Sequence, residues 1–153
     1  MGRVTVTTDI KAPPEAVWKA LSDASRYAEW VVFTDDVISV SEGEFGKGTV
    51  YHEQGGVEPF KGRSEWTVTE FDPPHHQVHI GRQGPLTIHL DFRLEPSEQG
   101  TRYTQVTESR FPLPLRPIAA VMDLLFMRRR MKSGLQETAA NFKAAVEAGQ
   151  QST

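Results

Sequence analysis

The sequence predicts an α+β domain in which a meander of antiparallel strands is covered on its apolar side by one long C-terminal helix. Three observations predict it. Residues 37–111 carry β-branched and aromatic runs separated by the turn-forming stretches EGEFGKG, QGGVEP, DPPHH, QGP and PSEQG. Residues 118–148 carry apolar side chains at helical spacing. No repeat, low-complexity tract or Pro/Gly-rich linker separates the two, so residues 1–149 are expected to form one domain, with 150–153 as a loose tail.

The elements follow in order. Val4, Val6, Thr8 and Ile10 share one parity and Arg3, Thr5, Thr7 and Asp9 the other, the period of a half-buried strand. Pro13 and Pro14 stop that strand. Residues 15–21 then place Val17, Trp18 and Leu21 at helical spacing behind a proline and an acid suited to a first turn. A second short helix is expected over about residues 24–30. Six further strands fit between Val37 and Phe111. Leu86, Ile88, Leu90, Phe92 and Leu94 alternate with Thr87, His89, Asp91 and Arg93, which gives the sheet one apolar and one polar face. After the loop FPLPLRP, the helical pattern runs to Gly149, a residue suited to the left-handed position beyond a helix. At about 100° per residue, Ala120, Leu124, Met127, Met131, Leu135, Thr138, Phe142 and Val146 form one stripe, which is expected to face the sheet.

Size and charge exclude several function classes. A chain of 153 residues can bury a substantial core, and a net charge of −3 offers no basic field for a phosphate backbone, so nucleic acid is not expected as a partner. The absence of cysteine removes disulfides and thiolate metal sites, and the N-terminus lacks a basic segment followed by an apolar run; a cytoplasmic setting is expected. No apolar stretch approaches the roughly 20 residues that span a bilayer, so integral membrane insertion is not expected. No Ser/His/Asp spacing, phosphate-binding glycine loop or dinucleotide fingerprint occurs, and no cofactor is implied.

The segments PPEAVWKALSDASRYAEW, EWTVTEFDPP, GTRYT and LQETAANFKAAVEA together resemble the START-like superfamily, and within it the bacterial polyketide cyclase/dehydrase group of SRPBCC domains. The landmarks are Val17, Trp18, Leu21, Asp23 and Trp30, then Val68, Asp72 and Pro73, then Gly100 and Thr101, and finally Leu135, Phe142 and Glu147. The resemblance implies a helix-grip fold: a seven-stranded curved antiparallel sheet wrapped around the last helix, two short helices after the first strand, and an internal cavity. It implies a polyketide-like, lipid or aromatic guest, with cyclase or dehydratase chemistry in some members and chaperone-regulator surfaces in others. Fold alone does not select among these.

A long helix laid across a strongly curved sheet leaves gaps that its own side chains do not fill, so the cavity is the foremost site candidate. Trp66, Phe92, Tyr103, Thr107, Leu124, Met127 and Met131 are the expected lining; packing into a closed core is the alternative. Within the run RRRMK, Arg128 falls in the apolar stripe while Arg129, Arg130 and Lys132 fall outside it. Arg128 is therefore the residue expected to orient an enolate, phenolate or carboxylate, against the alternatives of snorkelling to water or pairing with Glu108.

Other candidates are weaker. A three-residue QGP loop would set Arg82 opposite Leu86, His79 opposite His89 and Gln77 opposite Asp91, on the outer face. Two histidines and an aspartate there lack further ligands in fixed geometry, so no metal is expected. His52, Glu53, Glu108 and Tyr103 are the titratable strand residues that general acid/base chemistry could use if they faced inward, but strand residues facing water are the simpler expectation.

The expected function is binding of a small hydrophobic molecule in the cavity; an interaction module working through its surface is the alternative. Ile118, Met122, Leu125 and Phe126 lie opposite the sheet-facing stripe, and an exposed patch there would mark either the contact of a homodimer or a movable rim.

Overall fold

In the computed structural model of the chain, residues 2–57, 61–122 and 128–151 are described. Seven strands form one antiparallel sheet: β1 (Gly2–Ile10), β2 (Thr34–Val40), β3 (Val50–Gly55), β4 (Gly62–Asp72), β5 (His76–Gln83), β6 (Leu86–Ser97) and β7 (Gly100–Arg110). Their spatial order is β1-β7-β6-β5-β4-β3-β2, so β2 to β7 make the expected meander and β1 closes beside the last strand. Register shifts occur between Thr34 and Asp36, between Val37 and Ser39, and between Val68 and Glu70. Irregularities of this kind bend strands and increase twist, which curves the sheet.

Between β1 and β2 lie α1 (Pro14–Leu21) and a 3₁₀ segment, Ala24–Glu29. Pro14 begins α1 with a fixed φ, and Val17, Trp18 and Leu21 form its buried face. Trp18 packs on Phe71 at 4.9 Å between ring centroids, and the Tyr27 hydroxyl donates to the Leu21 carbonyl. These elements close one end of the sheet.

The C-terminal region contains α2 (Arg116–Met122), entered through a 3₁₀ turn at Leu113–Leu115, and α3 (Arg128–Gln151). Along α3 the expected stripe is present as Leu135, Thr138, Phe142 and Val146, all buried, with Met131 half-buried. Ala120 departs from it and is exposed. Leu124 and Met127, and likewise Leu125 and Phe126, lie outside the described residues. The helix does not stop at Gly149 but runs through it to Gln151.

Polar contacts fix α3 on the sheet at several points. Lys143 Nζ donates to the Asp9 carbonyl at 2.8 Å, the Glu147 carboxylate accepts from the Lys11 amide at 2.8 Å, and Thr138 Oγ1 accepts from the Val32 amide at 3.0 Å. Phe142 completes the core at this end, 4.4 Å from Trp30 and 5.1 Å from Tyr103. The helix is therefore sealed against the sheet over its C-terminal half, while Arg128, Arg129 and Arg130 at its start are exposed.

The β5–β6 hairpin corrects one expectation. Gln83 pairs with Leu86, so the loop is the two residues Gly84 and Pro85, with Gly84 at φ +56°. A positive φ followed by proline suits a two-residue primed turn. His79 consequently faces Leu90 and His89 faces Ile80. A one-residue slip moves every side chain of a strand to the other face: Gln77 and His79 point into the core and are fully buried.

Candidate ligand cavity

Two adjoining chambers lie between α3 and the sheet. The outer one, about 320 Å³, is bounded by the ends of β1 and β7, the β5–β6 turn, α2 and the start of α3. The inner one, about 130 Å³, reaches inward to Trp30, Phe33, Tyr51, Trp66 and Phe92. Gln83, Leu86, Thr107 and Met131 border both. Of the lining residues expected from sequence, Trp66, Phe92, Thr107 and Met131 bound the inner chamber, and Arg128 bounds the outer one.

Tyr103 borders neither chamber. It is completely buried in the closed core, tilted against Phe142, with its hydroxyl donating to Gln105 Oε1 at 2.8 Å. Ile118 and Met122 are corrected as well: they border the outer chamber instead of turning away from the sheet. The apolar edge that runs from Leu115 of the 3₁₀ turn through Ile118, Ala119 and Met122 of α2 has an i, i+3, i+4, i+7 pattern of its own.

The inner chamber is walled by aromatic and aliphatic side chains, with polar groups from Thr34, Glu53, Gln83, Gln105, Thr107 and Thr138. Gln105 is committed to its neighbours, since its Nε2 donates to Thr107 Oγ1 at 3.3 Å while its oxygen accepts from Tyr103. Tyr51 belongs to a second buried chain: its hydroxyl lies 2.7 Å from His79 Nδ1, His79 Nε2 lies 2.7 Å from Gln77 Oε1, and Gln77 Nε2 donates to Ser22 Oγ. Burial pushes the imidazole down to about 3, so His79 is neutral, with Nε2–H donating to Gln77 and Nδ1 accepting from Tyr51. Burial likewise raises the hydroxyls of Tyr27, Tyr51 and Tyr103 well above the ordinary tyrosine range.

Glu53 is different. Its side chain is directed inward from β3, is 8% exposed, and receives the Thr34 hydroxyl on Oε2 at 3.2 Å. Burial pushes its carboxyl up to about 7, an effect that hydrogen bonds from Thr34 and Trp66 offset only in part. The neighbouring candidates face outward: His52 pairs with Glu65 at 3.0 Å and Ser39 at 3.2 Å, and Glu108 pairs with Arg3 and Arg110. Glu53 was legible only as one of four titratable strand residues. The signal that distinguishes it is its strand parity with Tyr51, opposite Trp66, and that face carries too few aliphatic residues to read from sequence.

A curved seven-stranded antiparallel sheet gripping a C-terminal helix over an internal apolar cavity defines the helix-grip, START-like class. The chain belongs to the polyketide cyclase/dehydrase and lipid transport family, whose model matches residues 1–147. It is 25% identical over 143 residues to the Mycobacterium tuberculosis protein named Toxin Rv0910, covering 93% of this chain and 96% of that one. Among solved structures it resembles TTHA0849 from Thermus thermophilus, with a TM-score of 0.71 and 18% identity over 97% of this chain and 99% of that one. It also resembles the di-domain ARO/CYC StfQ from the steffimycin biosynthetic pathway, with a TM-score of 0.76 and 12% identity, covering 97% of this chain and 51% of that one. Among the described residues, no helix is long and apolar enough to cross a membrane.

Proposed function

We propose that the protein binds one small hydrophobic molecule, polyketide-like, lipid or aromatic, with a flat portion in the inner chamber and the remainder in the outer chamber beneath α2. The observation that carries this is the pair of adjoining apolar chambers joined at Met131 and Thr107. An outer chamber of about 320 Å³ lies at the lower end of the range of small-molecule sites. The aromatic walls suit a planar guest, and the flexible thioether of Met131 suits a boundary that adapts to its occupant. Family membership supports the ligand class, and a cytoplasmic setting accords with the cysteine-free composition. Displacement of Nile red by fatty acids and by flat polycyclic compounds tests the proposal. Competition that Trp66→Ala weakens supports it; a protein that takes up no hydrophobic probe refutes it.

A second reading rests on the surface of α2 and the 3₁₀ turn that leads into it. Leu113, Ile118 and Val121 are 72%, 64% and 56% exposed beside the outer chamber, an apolar group that would act as the rim of the cavity or as the contact with a second copy of the chain. Light scattering of the wild type and of Val121→Glu separates these. A dimer dissolved by the charge assigns the patch to self-association; a monomer with altered guest uptake assigns it to the rim.

A further inference from the structure

We infer that Glu53 is the recognition point of the inner chamber and that, as a neutral acid, it donates its O–H to a carbonyl oxygen of the guest. The ligand class is thereby narrowed to aromatic or polyketide-type ketones, as distinct from pure hydrocarbons. The inference rests on the cavity reading and deepens it.

Geometry carries it. A carboxyl turned into a chamber walled by Trp30, Phe33, Trp66 and Phe92 is stable only if it is neutral or paired with a cation. Among the described residues, Glu53 forms no ion pair; Thr34 donates to it, and the Trp66 indole N–H, bonded to Ser64 Oγ at 2.9 Å, stands as a second donor beside it. Among the other polar groups of the chamber, Gln105 Nε2 donates to Thr107 and the Tyr51 hydroxyl lies against His79 Nδ1. Glu53 is the one carboxyl among the described residues lining the chamber, and its acid hydrogen is directed into it. A guest carbonyl supplies the missing acceptor without bringing a charge into the chamber.

Among the described residues, the titratable groups nearest Glu53 hold one charge state near neutrality. Tyr27 on the 3₁₀ segment and Tyr51 on its own strand are held protonated by burial, as is Tyr103 behind Tyr27 on β7, and His79 on β5 is held neutral. The facing residues of α3 are Met131, Leu135 and Thr138, which do not titrate. A carboxyl raised to about 7 is then the group that switches between donor and anion in the working range.

Two near-isosteric probes test this, 2-acetylnaphthalene with a carbonyl and 2-isopropenylnaphthalene without one. In the wild type, affinity for the ketone should fall about 30-fold between pH 5.5 and 8.5, because only the protonated fraction of a group with a pKa near 7 binds it. Affinity for the alkene should stay level. Glu53→Gln keeps a donor and the shape, so its ketone affinity should be independent of pH. A ketone affinity that is flat with pH in the wild type, or a pH dependence that survives in Glu53→Gln, overturns the inference while alkene binding leaves the cavity standing. Failure of both probes to bind at any pH overturns the cavity reading and this inference with it.

Discussion

The indole of Trp66 occupies the space that a side chain on Gly81 would need. The two are register partners on β4 and β5, and a Cβ at Gly81 would stand 2.5 Å from the indole ring. Glycine there lets the largest wall of the inner chamber lie against the sheet. Gly81→Ala should force the indole toward the chamber, costing about 1–3 kcal/mol of stability and weakening the binding of planar guests. Urea denaturation and probe titration check this; unchanged values for both would show that the sheet relaxes without moving Trp66.

A similar relationship joins Gly134 to Phe33. In an ordinary helix interior, alanine is preferred to glycine by about 1 kcal/mol. Here a Cβ would stand 2.1 Å from Phe33 Cζ, and Phe33 borders the inner chamber. Gly134→Ala should therefore destabilise the protein, and should become neutral or stabilising when combined with Phe33→Leu. Thermal denaturation of the four variants of this cycle gives the sign.

Glu53 and His79 shape the pH dependence of stability in opposite ways. The Glu53 pKa is raised on folding, so its contribution is complete below the usual carboxylate value of 4.5 and is lost as pH rises to about 7. The His79 pKa is lowered, so its contribution is complete above 6.5 and is lost as pH falls toward about 3. Wild-type stability should be level between about pH 4.5 and 6.5 and decline on both sides. Glu53→Gln should abolish the decline above pH 6.5 and stabilise the protein at pH 8 by about 3 kcal/mol at most. Denaturation midpoints from pH 4 to 8.5 test this; a mutant that declines on the alkaline side as the wild type does would contradict it.

Arg128 borders the outer chamber, whereas Arg129 and Arg130 do not. It is exposed, so its attraction for an anion is screened by water, and an exposed ion pair contributes about 0.2–1 kcal/mol. Arg128→Met should weaken binding of fatty carboxylates by about two- to fivefold and leave neutral guests unaffected. Competition titrations with Arg129→Met as control check this, and equal losses from both variants would remove the assignment.

The architecture was legible because its signals are periodic and redundant. The alternation of Leu86 to Leu94 and the stripe through Leu135, Phe142 and Val146 each report a face many times over, and the structure places those faces together. The site was less legible. The inward face of β5 carries Gln77, His79 and Gly81, while Val78 and Ile80 take the other parity, so polarity pointed to the wrong side and one residue of loop length decided the outcome. Tyr103 reads as cavity lining on aromatic character alone, yet Phe142 and Gln105 enclose it. The inner walls supplied by Tyr27, Trp30 and Phe33 come from a segment remote in sequence from β3 and β4, and local patterning carries no information about such a meeting.

The most direct measurement is the ¹³C-methyl NMR spectrum of methionine-labelled protein titrated with 2-acetylnaphthalene. Met131 stands where the inner and outer chambers join, and Met131→Leu assigns its resonance. Saturable displacement of the Met131 methyl resonance, with the response lost in Trp66→Ala, is the result predicted for a guest held between the sheet and α3. A Met131 resonance unmoved by every planar or long-chain guest tried would contradict the claim that this cavity is a binding site.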